Sequence, residues 1–66
     1  MTARELLRIL RKAGCVEVRQ KGSHLVIRCG KCQTTVPVHK GEDIKKGTLA
    51  AIGGNLEPCL GKDWWK

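Results

Sequence analysis

The sequence has no apolar run long enough to cross a membrane. Its uninterrupted apolar stretches span only a few residues, whereas a transmembrane helix needs about 20. The first residues, Met1-Thr2-Ala3-Arg4-Glu5, also lack the apolar segment of a signal peptide. We therefore expect a soluble protein of the cytoplasm that has no membrane partner.

Aromatic residues are nearly absent. The chain has no Tyr and no Phe, and its two aromatics are the neighbours Trp64 and Trp65. Because no other aromatic residue is available to fill the core, we expect these indoles to cover it. Stacking on bases and docking of a partner are the alternatives.

Acidic residues are also few. Six Asp and Glu stand against thirteen Lys and Arg, which gives a formal net charge of +7. A field of this sign attracts polyanions, so nucleic acid is the first partner to consider. Many small proteins are basic without such a partner, and charge alone does not separate the two readings. A chain of 66 residues forms one domain with a small core, and it contains no repeat, linker or low-complexity segment.

The first helix has a clear start, period and end. Thr2-Ala3-Arg4-Glu5 fits a capping box. Apolar residues then recur at helical spacing as far as Ala13, and Gly14 can adopt the left-handed conformation that ends a helix. The polar face carries a cationic stripe, which is either an RNA-binding surface or a solvated helix face. Its members are Arg4, Arg8, Arg11 and Lys12.

Three stretches predict antiparallel strands. From Cys15 to Gln20, valines alternate with charged residues, which is the pattern of a half-buried strand. After the turn at Lys21-Gly22, a second strand runs from about Ser23 to Cys29 with its cleaner apolar face inward. Gly30-Lys31 then predicts a hairpin. The third strand, residues 34–39, contains a proline and is therefore an edge strand or a strand end. Its inward residues are Val36 and Val38, and its outward residues are Pro37 and His39.

A second, short helix is expected after the strands. Its entrance is Lys45-Lys46-Gly47-Thr48, and Gly53-Gly54-Asn55 should end it. Residues 55–66 show no regular period, so we expect an irregular tail packed on the body. The order helix, three strands, helix predicts an α+β two-layer sandwich with both helices on one face of the sheet.

The two histidines are the candidate catalytic residues. Hairpin pairing places His24 opposite Pro37 or Val38, so His39 comes close on the same outward face. Imidazole titrates near neutrality and can remove the proton of a ribose 2′-hydroxyl or protonate a leaving 5′-oxygen. Nearby cations can stabilise the charge that develops, without a metal. These cations are Lys21, Arg28, Lys45 and Lys46, and Gly22 and Ser23 let the backbone and a hydroxyl approach a phosphate.

Three motifs in this order resemble the HicA family of bacterial and archaeal toxins. They are Gly22-Ser23-His24 at a strand entrance, residues 35–41 (Thr-Val-Pro-Val-His-Lys-Gly) and residues 44–49 (Ile-Lys-Lys-Gly-Thr-Leu) with Ile52 behind them. The resemblance spans about residues 4–54 within a single domain of residues 1–66. It implies a fold similar to the double-stranded-RNA-binding domain, an mRNA interferase (endoribonuclease) activity, and neutralisation by a HicB antitoxin. In that family the histidine of the first motif is catalytic, which assigns the role to His24. A second family histidine corresponds to His39.

The cations also lie where double-stranded-RNA binders carry theirs, on the first helix, at the first turn and at the entrance of the second helix. Thr48 and the backbone at that entrance add an anion site. A non-catalytic RNA-binding module that uses the same surface is the alternative to an enzyme, and a zinc-stabilised interaction module is a third reading.

The cysteines depart from the family pattern, and their state is open on sequence alone. Nothing signals export, so reduced thiols are expected first, a structural zinc site second and disulfides third. Cys29-Gly30-Lys31-Cys32 is typical of one half of a zinc site. Because this end of the sheet is opposite the histidines, such a zinc would be structural, and no catalytic cofactor is expected. The four residues are Cys15, Cys29, Cys32 and Cys59.

Overall fold

The computed structural model describes residues 1–65 and has the predicted element order. A helix is followed by one antiparallel sheet, in which the strands lie in chain order, and then by a second helix. This confirms the α+β fold like that of the double-stranded-RNA-binding domain. The elements are α1 (Ala3–Lys12), β1 (Val16–Lys21), β2 (His24–Cys29), β3 (Cys32–Pro37) and α2 (Lys46–Leu60).

One apolar core joins both helices to the same face of the sheet. Each helix supplies buried residues to it, and so do the alternate positions of β2 and β3, because successive side chains of a strand point to opposite faces. We call the other side of the sheet, which points away from the helices, the outward face. The most completely buried side chains are Leu6, Leu10, Ile27, Val36 and Leu56.

Helix α1 begins as its sequence predicts. The Glu5 amide donates to the Thr2 hydroxyl at 3.2 Å, and the Thr2 amide donates to the Glu5 carboxylate at 3.1 Å. Both halves of the capping box are therefore formed. Gly14 follows the helix with a φ of +87°, the left-handed conformation expected at this position.

The prediction of a half-buried first strand is wrong. All six residues of β1 are exposed, and Val16 and Val18 remain 52% and 47% exposed. The register with β2 shifts between Glu17 and Arg19, which moves the alternation by one position. Val16 therefore pairs with Arg28 on the outward face. In addition, α2 packs on β3 and β2 and leaves the β1 edge to solvent.

Helix α2 is longer than the sequence predicts. It continues through Gly53-Gly54-Asn55 and ends at Leu60, so residues 56–60 are helical and not part of an irregular tail. Tertiary contacts explain the extension. The Asn55 side chain donates to the Thr34 hydroxyl at 3.1 Å, and Leu56 is completely buried. These contacts outweigh the weak helix propensity of glycine and the amide that Pro58 lacks.

The two tryptophans cover the core, as their scarcity suggested. Both indoles are partly buried and pack against the core cluster. The Trp64 indole N–H donates to the Gly53 carbonyl at 3.0 Å. The turn at residues 61–65 therefore folds back on the middle of α2.

The cysteines are paired, which corrects the expectation of reduced thiols. Cys15 is bonded to Cys29, and Cys32 is bonded to Cys59. The first disulfide joins the α1–β1 connection to the end of β2, and the second joins the start of β3 to the last turn of α2. Sequence reasoning placed disulfides last because it weighed the cellular compartment, whereas the folded chain brings these residues together in pairs.

Candidate functional site

His24 is the first residue of β2, and its side chain is exposed on the outward face. The alternation of the strand explains this orientation, because the neighbouring Leu25 and Ile27 fill the inward positions. Cross-strand pairing places His24 beside Lys21 on β1 and Pro37 on β3. The sequence left Pro37 and Val38 open as partners of His24, and the register gives Pro37.

The turn before His24 is fixed by hydrogen bonds from two residues that flank it. Gly22 has a φ of +59°, a conformation that side chains with a Cβ rarely adopt. The Gln20 side chain donates to the Gly22 carbonyl at 3.0 Å, and the Val38 amide donates to the Ser23 carbonyl at 2.6 Å. These two hydrogen bonds anchor the backbone that carries His24, and Ser23 itself is half-buried.

Cations lie along the outward face that exposes His24, with Lys21 beside it and Arg28 near the far end of β2. Lys21 and Arg28 were predicted from the sequence, and both are exposed there. Arg19 pairs with Val26 on the same face. It therefore lies between the Lys21–His24 pair and the Val16–Arg28 pair. Sequence reasoning did not select Arg19 as a site residue. Its place in a charged strand two residues before Lys21 was the signal that could have identified it.

His39 lies beyond the end of β3 and borders two cavities. The first, of about 310 Å³, lies at the entrance of α2 and is lined by His39, Lys45 and Thr48, among others. Pro37 lines this cavity as well and is also the cross-strand partner of His24. The two histidines therefore lie at the same end of the sheet. His24 occupies the outward face, whereas His39 borders the helix entrance. The third strand covers Cys32–Pro37 and not residues 34–39, so the strand alternation predicted from the sequence does not carry His39 onto the outward face with His24.

The entrance of α2 presents backbone N–H groups. Lys45 occupies the cap position in an extended conformation, and among residues 1–65 no side chain caps it by a hydrogen bond. The first amides of a helix lack acceptors within the helix and favour an anion. Lys45 and Lys46 are exposed, and Thr48 is half-buried at the cavity wall. The three residues predicted to hold a phosphate are thus grouped together.

The cationic stripe of α1 is divided. Arg4 and Arg11 line a second cavity, of about 630 Å³, together with His39 and Lys40. Arg11 also forms an ion pair with Glu17 at 3.1 Å. The remaining members, Arg8 and Lys12, are exposed on the helix. Because α1 packs on the inward face, the stripe is separated from His24 by the sheet.

The described residues offer no ready metal site. Within residues 1–65, no group of three or more His, Cys, Asp or Glu side chains is arranged to hold an ion. The four sulfurs are consumed in the two disulfides. Over the same residues, no helix has the length and apolar character needed to cross a membrane.

The fold and the exposed histidine together describe the class to which the protein belongs. The fold is a small α+β sandwich like that of double-stranded-RNA binders, and a histidine stands among cations on its open sheet face. The family described as HicA toxin of bacterial toxin-antitoxin matches residues 3–57. The chain belongs to this family and is the toxin of a toxin–antitoxin system. Neither a curated protein nor a solved structure matches the chain.

Proposed function

We propose that this toxin is an mRNA interferase, an endoribonuclease that cleaves RNA with His24 as its catalytic acid or base. The observation that supports it best is the position of His24. It is exposed directly after the turn that leads into β2. It lies beside Lys21 and on the same face as Arg19 and Arg28. The family to which the chain belongs gives the toxin role. The imidazole can act as an acid or base in RNA cleavage, and the neighbouring cations can stabilise negative charge on the phosphate.

The reaction requires only the RNA and protein side chains. A base removes the proton of a ribose 2′-hydroxyl, and the 2′-oxygen forms a bond to the adjacent phosphorus. The bond from phosphorus to the 5′-oxygen then breaks, and an acid returns a proton to that oxygen. The products are a 2′,3′-cyclic phosphate and a 5′-hydroxyl. Lys21 lies next to His24 in the sheet register and can stabilise the additional negative charge on the phosphate oxygens.

The RNA backbone follows the cations from the sheet to the helix entrance. Arg19 and Arg28 extend the positive surface along the outward face, and Lys45 and Lys46 continue it at the start of α2. Contacts of this kind recognise phosphates and RNA shape more than base sequence. Thr48 and the first amides of α2 bind a further phosphate.

His39 supplies a second imidazole at the same end of the sheet. It borders the cavity whose wall includes Pro37, the cross-strand partner of His24. In this proposal His39 positions the RNA or acts as the second acid or base. Its place between Thr48 and the α1 arginines Arg4 and Arg11 brings it within the basic surface.

The partner that neutralises the toxin is an antitoxin of the HicB type. A toxin with a net charge of +7 and an exposed catalytic histidine requires a partner that is acidic where it meets that face. Such a partner covers the surface that RNA would otherwise occupy. The antitoxin and RNA thus compete for the same residues of the toxin.

Substitution His24→Ala tests the catalytic role. We expect the rate of RNA cleavage to fall by about 100-fold or more, since general acid or base catalysis contributes about 10²–10⁴-fold. RNA binding, measured separately by fluorescence anisotropy, should persist. Cleavage is assayed with a chelator present, and the 2′,3′-cyclic phosphate end is identified by mass spectrometry.

Glu57→Gln is the matched control, because Glu57 is exposed in the last turn of α2, which the bond between Cys59 and Cys32 joins to the end of the sheet opposite His24. It should cleave as the wild type does. Wild-type protein that binds RNA but leaves it intact in the chelator assay would overturn the enzyme proposal and favour a non-catalytic RNA-binding module. Unchanged cleavage by the His24→Ala variant would overturn the role of His24 alone.

A further inference from the structure

All four cysteines meet at the end of the sheet that lies opposite His24. Cys29 and Cys32 face each other across the hairpin as register partners, and side chains of register partners lie on the same face. Each is bonded to a cysteine from elsewhere in the chain, with Cα–Cα distances of 4.3 Å to Cys15 and 6.1 Å to Cys59. The two disulfides therefore meet at this hairpin, where Cys29 of one and Cys32 of the other are register partners.

Reduction of the protein converts these disulfides to thiols. The following argument rests on the proposed function, because an enzyme that cleaves mRNA acts in the bacterial cytoplasm, where thiols are kept reduced. A dithiol reductant gives two electrons and two protons to each disulfide and is itself oxidised to a disulfide. Reduction of both bonds leaves four cysteine thiols that the fold holds together.

We propose that the reduced chain binds one zinc ion through Cys15, Cys29, Cys32 and Cys59. Four cysteine thiolates are a preferred ligand set of structural zinc. Binding converts four thiols to thiolates and releases four protons, with no change in oxidation state. The hairpin Cys29-Gly30-Lys31-Cys32 supplies two ligands from one tight turn, in which Gly30 has a φ of +62°.

Zinc would cross-link the same segments of the chain that the disulfides cross-link. The α1–β1 connection supplies Cys15, the hairpin supplies two ligands, and the last turn of α2 supplies Cys59. A 66-residue domain has a small core and gains from such a clamp. Because the histidines lie at the other end of the sheet, this zinc is structural and takes no part in RNA cleavage.

The experiment compares the same wild-type chain in two oxidation states. Fully reduced protein, kept without oxygen, and disulfide-bonded protein are each mixed with zinc, desalted and measured for bound metal. We expect about one zinc per reduced chain and close to none per oxidised chain, as a four-thiolate site requires. Cobalt in place of zinc should give the absorption bands of a tetrahedral thiolate site in the reduced protein only. Chelation should lower the melting temperature of the zinc-bound form and leave that of the oxidised form unchanged.

Two variants sharpen the test. Cys59→Ser removes an exposed ligand at the end of α2 and should reduce zinc retention and weaken the thiolate bands. Lys31→Ala changes an exposed residue of the same hairpin and should bind zinc as the wild type does. Reduced wild-type protein that retains no more zinc than the oxidised form would overturn the proposal. No RNA is present in this assay, so its failure is distinguishable from a failure of the proposed RNase activity.

Discussion

Gly53 is buried in the middle of α2 because two indoles pack against it. Its carbonyl accepts from the Trp64 indole, and a Cβ placed on Gly53 would overlap the Trp65 ring. The neighbouring Gly54 is exposed and would have no atom within 4 Å of its Cβ. Two adjacent glycines that look alike in the sequence therefore have different roles.

Substitutions Gly53→Ala and Gly54→Ala should have opposite effects on stability. At Gly53 the added methyl displaces an indole, which we expect to lower the free energy of unfolding by about 1–3 kcal/mol. At Gly54, alanine has the better helix propensity and should raise it by about 0.5–1 kcal/mol. Urea unfolding of both variants in one oxidation state measures the difference. Equal effects at the two positions would show that the indoles do not pack as described.

At the scale of elements, the start of α1 is stabilised by a charge as well as by hydrogen bonds. Hydrogen bonds from the Thr2 backbone and then from its side chain hold the pKa of the Glu5 carboxyl below its ordinary value. A lowered pKa in the folded state means that the ionised carboxylate stabilises the fold above the pKa of the unfolded chain. This contribution is lost as the pH falls through the folded-state pKa.

Glu5→Gln should therefore destabilise the protein in a pH-dependent way. Glutamine can still accept from the Thr2 amide, but it carries no charge. We expect the wild type to be the more stable protein at neutral pH, and the difference to shrink as the solution becomes acidic enough to protonate Glu5. Unfolding by urea at a series of pH values measures this. A difference that stays constant from neutral to acidic pH would contradict it.

At the scale of the whole molecule, the disulfides tie the helices to the sheet. Cys32 and Cys59 are 27 residues apart, and their bond fixes the last turn of α2 on β3. That turn contains Pro58 and ends beside Gly61, so its own helix propensity is weak. The cross-link holds in place a segment that the sequence pattern assigned to an irregular tail.

The double substitution Cys32→Ser and Cys59→Ser should destabilise the oxidised protein by about 3.5 kcal/mol, as expected for a closed loop of this length. Amide hydrogen exchange should accelerate most in residues 57–60, because the contacts described for Gly53, Asn55 and Leu56 lie earlier in the helix. Denaturation and exchange of the oxidised proteins test both statements. The same variant in reducing, zinc-free buffer should match the reduced wild type closely, and a large remaining difference would mean that the serines disturb the fold in another way.

The sequence by itself determined the order of the elements, the start of α1 and the outward position of His24. These features depend on local rules: a capping box, the two-residue period of strands and the short turn before Cys32. It also contained the motifs of the family that matches residues 3–57. Each of these signals lies within a few residues, so no distant contact was needed to interpret it.

Only the tertiary structure decided the exposure of β1, the length of α2 and the pairing of the cysteines. A register shift between Glu17 and Arg19 turned Val16 outward, and contacts with Thr34 and the indoles carried α2 through Gly53-Gly54-Asn55. The disulfides likewise join residues that are 14 and 27 positions apart. In each case the deciding energy comes from groups distant in the chain, whose proximity local patterns do not encode.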